Sequence, residues 1–289
     1  MKTYKSIFIS DIHLGSRGCK ADELCDFLKH NTSENLFLVG DIIDGWRLQR
    51  KFYWPQSHTN VIRRVLTAAK RDTNVTYIVG NHDEVLRGLL PYDIHFGNID
   101  LVNRYRYQAL NGKTYMIIHG DMFDTALRNK LSWLYHFGDS LYTLLLGINI
   151  VLAKVRSVFG LPYWSLSAYL KSKTKEAVAF MSDFEVLITD YCNKQKADGV
   201  ICGHVHKADI KKIGDIEYMN DGDWVESMTA LVEHYDGRWE IVTWAKENNN
   251  VVNDNISSSY KRHKRRAGTS GTDISGSTDL PAGIKYNQV

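Results

Sequence analysis

The chain has 289 residues, 44% of them apolar, and a formal net charge of +3. That length suits one large α/β domain or two small ones, with enough apolar surface to bury a sizeable core. The near-balanced charge excludes the strongly basic profile of a general nucleic-acid binder, and no specific nucleic-acid partner is expected. Cys19, Cys25, Cys192 and Cys202 form no C-x-x-C pair and read as reduced thiols rather than a disulfide framework.

"MKTYKSIFIS" leads straight into a strand, without the cationic, apolar and cleavage regions of a secretory signal. "YKSIFIS", "NLFLVG", "VTYIVG", "TYMIIHG" and "GVICGH" are short apolar runs, each ending on a polar turn. Such near-continuous runs are what strands buried on both faces look like. Helical patterns over Ala21 to Lys29 and Ser57 to Arg71 separate the first three, so the rhythm predicts an α/β layered sandwich. Asn111-Gly112, Gly214-Asp215 and Asp236-Gly237 lie between strand-like runs and predict hairpins, which makes the sheets mixed.

Residues from about 123 to 180 break the rhythm with a helical, unusually apolar stretch. Its longest charge-free run, Ser140 to Ala153, falls short of the roughly 20 residues a membrane span needs. It reads as a helical cap inserted in a domain covering 1–247: either a lid with an apolar pocket or membrane-facing surface, or helices packed on the domain's own core. From 248 to 289 the composition turns to Ser, Gly, Asn and Asp, too polar to offset the entropy of ordering, and predicts a flexible polar and basic tail. Its cluster Lys261 to Arg266 is either a contact for anionic lipid or RNA, or a solvated end.

The strand ends carry the chemistry: Asp11-Ile12-His13, then Gly40-Asp41 with Asp44, Gly80-Asn81-His82-Asp83, His119-Gly120-Asp121 and Gly203-His204-Val205-His206. Function in open α/β sheets gathers at the carboxyl ends of strands, so the five clusters are expected to meet. Asp and His ligate divalent transition ions, and Asn81 adds a neutral oxygen. Asp11 and His13 are expected to alternate on a strand, so that both can point to one face, and the same is expected of His204 and His206. One carboxylate can bridge two ions, and two ions about 3.5–4 Å apart clamp the attacking and leaving oxygens of phosphoryl transfer. His82 is then placed to protonate a leaving oxygen or to stabilise charge on phosphate, with Asp83 expected to orient its ring.

D-x-H, G-D, G-N-H-D, H-G-D and G-H-x-H in this order resemble the motifs of the calcineurin-like metallophosphoesterases, over roughly Lys5 to Trp244. The resemblance implies a sandwich of two mixed β-sheets flanked by helices. It implies that Asp11, His13, Asp41 and His206 hold one ion, that Asp41, Asn81, His119 and His204 hold the other, and that His82 is the catalytic histidine. "SDIHLGSRGCKADEL", "VGDIIDGW" and "NDGDWVESMTALVEH" look like the branch containing UDP-2,3-diacylglucosamine pyrophosphatase, an enzyme class of lipid A biosynthesis. That branch implies a nucleotide-linked lipid substrate, release of UMP, two divalent ions of which manganese is the usual choice (iron and zinc fit equally), and a cap that holds acyl chains. It also implies a cytoplasmic location with peripheral contact at the inner face of the membrane. Besides Asn81 and His82, the substrate contacts expected are Arg128, Lys171, Lys173 and Lys175, which read equally as a solvated helix face. The best-known pyrophosphatases of the branch carry Arg where this chain has His82, which leaves another phosphoester, soluble or lipid, open as substrate. A scaffold that has lost catalysis is the remote alternative, since no ligand of the set is replaced. The oligomeric state is not legible in the sequence.

Overall fold

A computed structural model of the chain describes residues 1–92, 97–124 and 175–244. Met1–Trp244 form one compact unit. Most of the expected cap and all of the expected tail lie outside the described residues, as do Arg128, Lys171 and Lys173.

Eleven strands among the described residues form two mixed sheets. They are β1 (Lys2–Ile9), β2 (Asn31–Val39), β3 (Asn74–Ile78), β4 (Ile99–Val102), β5 (Tyr105–Gln108), β6 (Thr114–Ile117), β7 (Gly199–Cys202), β8 (Asp209–Ile213), β9 (Ile216–Asn220), β10 (Thr229–Glu233) and β11 (Trp239–Thr243). One sheet runs β11-β10-β1-β2-β3-β4, the other β5-β6-β7-β9-β8. β1 to β4 are parallel, while β10 and β11 close the edge antiparallel. In the second sheet β6, β7 and β9 are parallel and β5 and β8 flank them antiparallel. The three predicted hairpins join β5 to β6, β8 to β9 and β10 to β11.

The sheets face each other across Phe8, Phe37, Val39 and Ile78 from the first and Tyr107, Tyr115, Ile117, Ile201 and Met219 from the second. Phe8 and Phe37 are paired neighbours on β1 and β2 and stack at 4.8 Å. Burying each such side chain contributes roughly 2–3 kcal/mol.

Four α-helices among the described residues pack outside. α1 (Ala21–His30) buries Ala21, Leu24 and Phe27, and its charges run from Asp22 and Glu23 at the start to Lys29 and His30 at the end, as the helix dipole favours. α2 (Gly45–Arg50) is short, and α3 (Gln56–Lys70) buries His58, Val61, Val65 and Ala69 at helical spacing. α4 (Lys175–Gln195) begins at Lys175 and sets Phe184, Ile188 and Cys192 against Met116, Val200 and Cys202 of the second sheet. Cys202 is therefore a core residue, and all four cysteines are free thiols. Among the described residues, no helix is long and apolar enough to cross a membrane.

Because β1, β2 and β3 run parallel in register, Ile9 pairs with Leu38 and Val39 with Ile78, and the three carboxyl ends lie side by side. The same holds for β6 and β7, whose Ile117 and Ile201 pair.

Candidate metal centre

Each ligand-bearing segment leaves its strand through a sharp turn. Asp11, His13, Asp41, His204 and His206 all have φ between 49° and 68°, the left-handed region that side chains with a Cβ seldom adopt. Such conformations cost of order 1–3 kcal/mol each and persist only where the surroundings enforce them. Here backbone bonds enforce them. The N–H of Asp11 donates to Gly40 O (3.1 Å), that of His13 to Asp41 O (2.9 Å) and that of Gly203 to His119 O (3.2 Å). Gly80 leaves no room to spare: a Cβ there would lie 2.6 Å from the Asp41 nitrogen and collide with its carboxylate.

The turns bring the polar side chains together. His119 Nε2 lies 3.3 Å from Asp41 Oδ2 and 3.2 Å from Asn81 Oδ1. His206 Nε2 lies 3.0 Å from Asp11 Oδ1, and His13 Nε2 lies 3.8 Å from Asp11 Oδ1 and 3.9 Å from Asp41 Oδ2. Three overlapping trios each offer ligand atoms within 4.8 Å of one another: Asp11 with His13 and His206, Asp11 with Asp41 and His119, and His13 with Asp41 and His82. Asp11, His13 and Asp41 each belong to two trios, so the three trios form one continuous cluster. His204 stands 5.0 Å from His119 between ring centres but joins no trio, and its Nε2 meets Asp124 Oδ1 at 2.8 Å.

The residues present fit a pair of divalent cations. Asp11 Oδ1 and His13 Nε2 are buried 3.8 Å apart with no well-aligned hydrogen bond, and the His206 Nε2 that stands 3.0 Å from Asp11 Oδ1 is itself a ligand type. This is an expensive arrangement unless something positive lies among them. The mixed nitrogen and oxygen donors suit first-row transition ions. Charge balance in the metal-free centre points the same way. Burial pushes the Asp41 carboxyl up, but the His119 and His13 charges overcome this and hold it well below the usual range. Burial likewise depresses His119, but Asp41 overrides it and raises the imidazole well above its ordinary value. His13, buried among Asp11, Asp44 and Asp41, is raised to about 10.

His82 rises beside this centre. Its Nδ1 lies 3.0 Å from Asp44 Oδ1, and its Nε2 points toward Asp41 Oδ2 at 3.9 Å. Despite burial, the neighbouring imidazoles of His13 and His82 hold Asp44 well below the carboxylate range, so Asp44 can only accept and His82 Nδ1 must donate. Asp44 also caps α2 through the Arg47 N–H (3.0 Å) and lies 3.5 Å from His13 Nδ1. One carboxylate therefore orients two rings.

The expected role of Asp83 is corrected by this arrangement. Its Oδ1 accepts from Gly80 N (2.6 Å), and its Oδ2 accepts from Ile42 N (2.9 Å) and Tyr77 OH (2.6 Å). Adjacent residues in a turn point apart, so Asp83 clamps the loop while Asp44, distant in sequence, reaches His82.

Sequence reasoning also missed a buried chain beneath Asp11. Ser10 Oγ lies 2.5 Å from Asp11 Oδ2 and 2.6 Å from Asp221 Oδ1. One hydroxyl proton cannot serve two carboxylates. Burial pushes Asp221 well above the carboxylate range, so the acid donates to Ser10, which donates to Asp11. Of the aromatic residues after Asp41, Trp46 lies against His82 with ring centres 4.3 Å apart and planes tilted by 37°, at 40% exposure, and Phe52 is exposed. Tyr53 and Trp54 instead pack edge-on against buried His58.

The family model of calcineurin-like phosphoesterases matches residues 4–208. No curated protein sequence matches the chain. Among solved structures, Yfce, a phosphoesterase from E. coli, is 15% identical with a TM-score of 0.40, over 82% of this chain and 98% of its own. An archaeal phosphodiesterase is 11% identical with a TM-score of 0.39, over 82% and 98%. Zinc-complexed Vps29 from Entamoeba histolytica is 12% identical with a TM-score of 0.36, over 83% and 98%. The family match takes in every strand end described above, from Asp11 to His206, and more than half of the chain. The chain belongs to the calcineurin-like phosphoesterase family.

Proposed function

We propose that this metal-dependent phosphoester hydrolase cleaves the pyrophosphate of a nucleotide-linked, diacylated sugar of the UDP-2,3-diacylglucosamine type and releases UMP. One observation carries the reading: the three segments that resemble that branch all lie against the ion centre. The first supplies Asp11 and His13, and the second supplies Asp41, Asp44 and Trp46. The third backs the first, with Asp221 on Ser10 and the Trp224 N–H on Asp11 O at 3.1 Å.

Asp11, His13, Asp41 and His206, with Asn81, His119 and His204, would hold two divalent ions. Bound ions supply Lewis acidity and activated water for attack on phosphorus. The chain's own residues do the rest. Asp44 accepts from His82 Nδ1 and so leaves Nε2 facing the substrate. Only the imidazolium, protonated on both nitrogens, can give the Nε2 proton to the departing oxygen or donate to a phosphoryl oxygen, and the Asp44 carboxylate stabilises that charged form. Trp46 shields that ring and narrows its motion. Manganese, a peripheral position at the cytoplasmic face of the membrane, and contacts from Arg128, Lys171, Lys173 and Lys175 belong to the same proposal.

His82 itself favours a second reading, a different phosphodiester. A histidine can release a proton, whereas the arginine of the resembled enzymes is a fixed cation. The test compares UDP-2,3-diacylglucosamine, its deacylated form and an aryl phosphodiester. Faster turnover of the acylated compound is expected, and equal rates with and without acyl chains would transfer the assignment to the second reading. Asp41→Ala should abolish all three activities. If it retains them, the ion-centre mechanism fails.

A further inference from the structure

Trp46 is the second residue of α2, and its indole ring lies against His82 with centres 4.3 Å apart. Bonds fix it on several sides. Asp44 caps α2 through the Arg47 N–H at 3.0 Å and meets His82 Nδ1 at 3.0 Å. The Gly45 N–H donates to His82 O at 2.9 Å, so the backbone just before the indole is tied to the histidine loop. Trp46 Nε1 donates to Glu84 Oε1 at 3.2 Å, which engages the one polar atom of the ring. Core packing does not account for a ring held this way, because α2 buries none of its residues. Trp46 stays 40% exposed, and His82 is its only aromatic neighbour among the described residues. The path to the ion centre is short. His82 shares a trio with His13 and Asp41, whose ligand atoms lie within 4.8 Å of one another, and the His13 and His82 ring centres are 4.6 Å apart. Trp46 thus stands one ring beyond the group that faces the reacting phosphate.

We propose that the exposed face of Trp46 is a nucleobase subsite, on which the base of a 5′-nucleotidyl substrate stacks. The inference rests on the nucleotide-substrate reading and deepens it by assigning the residue that takes the base. A phosphate on the ions beside His82 leaves its ribose and base to run along the surface next to that ring, which is the surface Trp46 forms. Every base has a π-face, and stacking on an aromatic side chain is tolerant of which base is present. With Nε1 committed to Glu84, Trp46 offers only its face, so it registers a base without reading its edge. A ring already immobilised loses little entropy when the base arrives.

The test uses UMP and ribose 5-phosphate, which share a phosphorylated ribose and differ in carrying the base. Both are measured as inhibitors of aryl phosphodiester hydrolysis by the full chain, with manganese in excess of either probe. UMP should inhibit the native protein about tenfold more tightly, the order that one stacked base contributes. Trp46→Ala should bring the two inhibitors within about twofold of each other, and Trp46→Phe should keep most of the difference. Trp46→Leu, which keeps apolar bulk over His82 but has no π-face, should lose the difference as alanine does. Trp46 also covers His82, and a disturbance of that ring weakens both inhibitors together, so their ratio reads the base alone. A ratio preserved in Trp46→Ala or in Trp46→Leu would overturn the proposal and leave the nucleotide reading standing. Equal inhibition by the two probes in the native protein would overturn both. Neither probe carries an acyl chain, so failure of the lipid part of the reading shows only in the substrate comparison.

Discussion

Asp44 Oδ1 and His82 Nδ1 lie 3.0 Å apart, although 38 residues separate them in the chain. The carboxylate belongs to the loop after β2, the imidazole to the loop after β3, and parallel pairing of those strands makes them neighbours.

Replacing Asp44 with Asn should therefore leave the ions bound while losing the tautomer. A fall in kcat of about 10² on an aryl phosphodiester is expected, toward the lower end of what general acid–base catalysis supplies, with a smaller change in KM. Asp44→Ala should add a loss of about 1 kcal/mol of stability, because α2 loses its cap. Steady-state kinetics and thermal melts of both variants separate the two effects.

His13 carries a pH signature in the metal-free protein. Its folded pKa is raised from 6.5 to about 10, so the stability it lends is fully present below pH 6.5 and is lost as pH rises through about 10. Chelator-treated protein should melt at progressively lower temperature across that window, and His13→Ala should flatten the slope. Manganese affinity should rise over the same range, since ion uptake must expel protons. Titration calorimetry in buffers of different ionisation enthalpy counts those protons.

Gly80→Ala should disable the centre without unfolding the chain. The added methyl group meets Asp41 at its nitrogen and carboxylate, and neither can retreat while Asp41 O holds His13 N. Overpacking of this kind costs about 1–3 kcal/mol. Metal content by elemental analysis should drop while the circular dichroism spectrum stays native. A fully loaded Gly80→Ala protein would contradict the close approach.

The chain Asp221–Ser10–Asp11 predicts an asymmetry. Asp221→Asn can still donate to Ser10 and should bind manganese nearly as well as the native protein. Ser10→Ala leaves Asp11 Oδ2 with only the His204 N–H (2.9 Å) and should weaken ion binding about 10–100-fold. Calorimetric dissociation constants for the two variants decide it.

Much of this was written in the linear sequence. Apolar runs ending in Asp, His or Asn announced the strands, and the helical spacing from Ala21 and from Ser57 announced the helices between them, because burial periodicity is a local property. Those runs also named Asp11, His13, Asp41, His82, His119 and His206, which the structure gathers into one cluster, since each follows a strand and parallel strands share an end. What the sequence could not state was which side chain serves which. Asp83 adjoins His82 and invited a pairing, yet backbone geometry turns it onto Gly80, Ile42 and Tyr77 while Asp44 arrives from another loop. Asp221 stood in the third resembled segment with no role assigned to it, and Arg87, which donates to Asp121, in no motif. Their contacts span 211 and 34 residues of chain, set by sheet register and loop packing. Sequence determined the elements and the ligand types because local spacing encodes them. Tertiary structure alone decided partners and protonation, because both depend on groups brought within a few ångströms from distant parts of the chain.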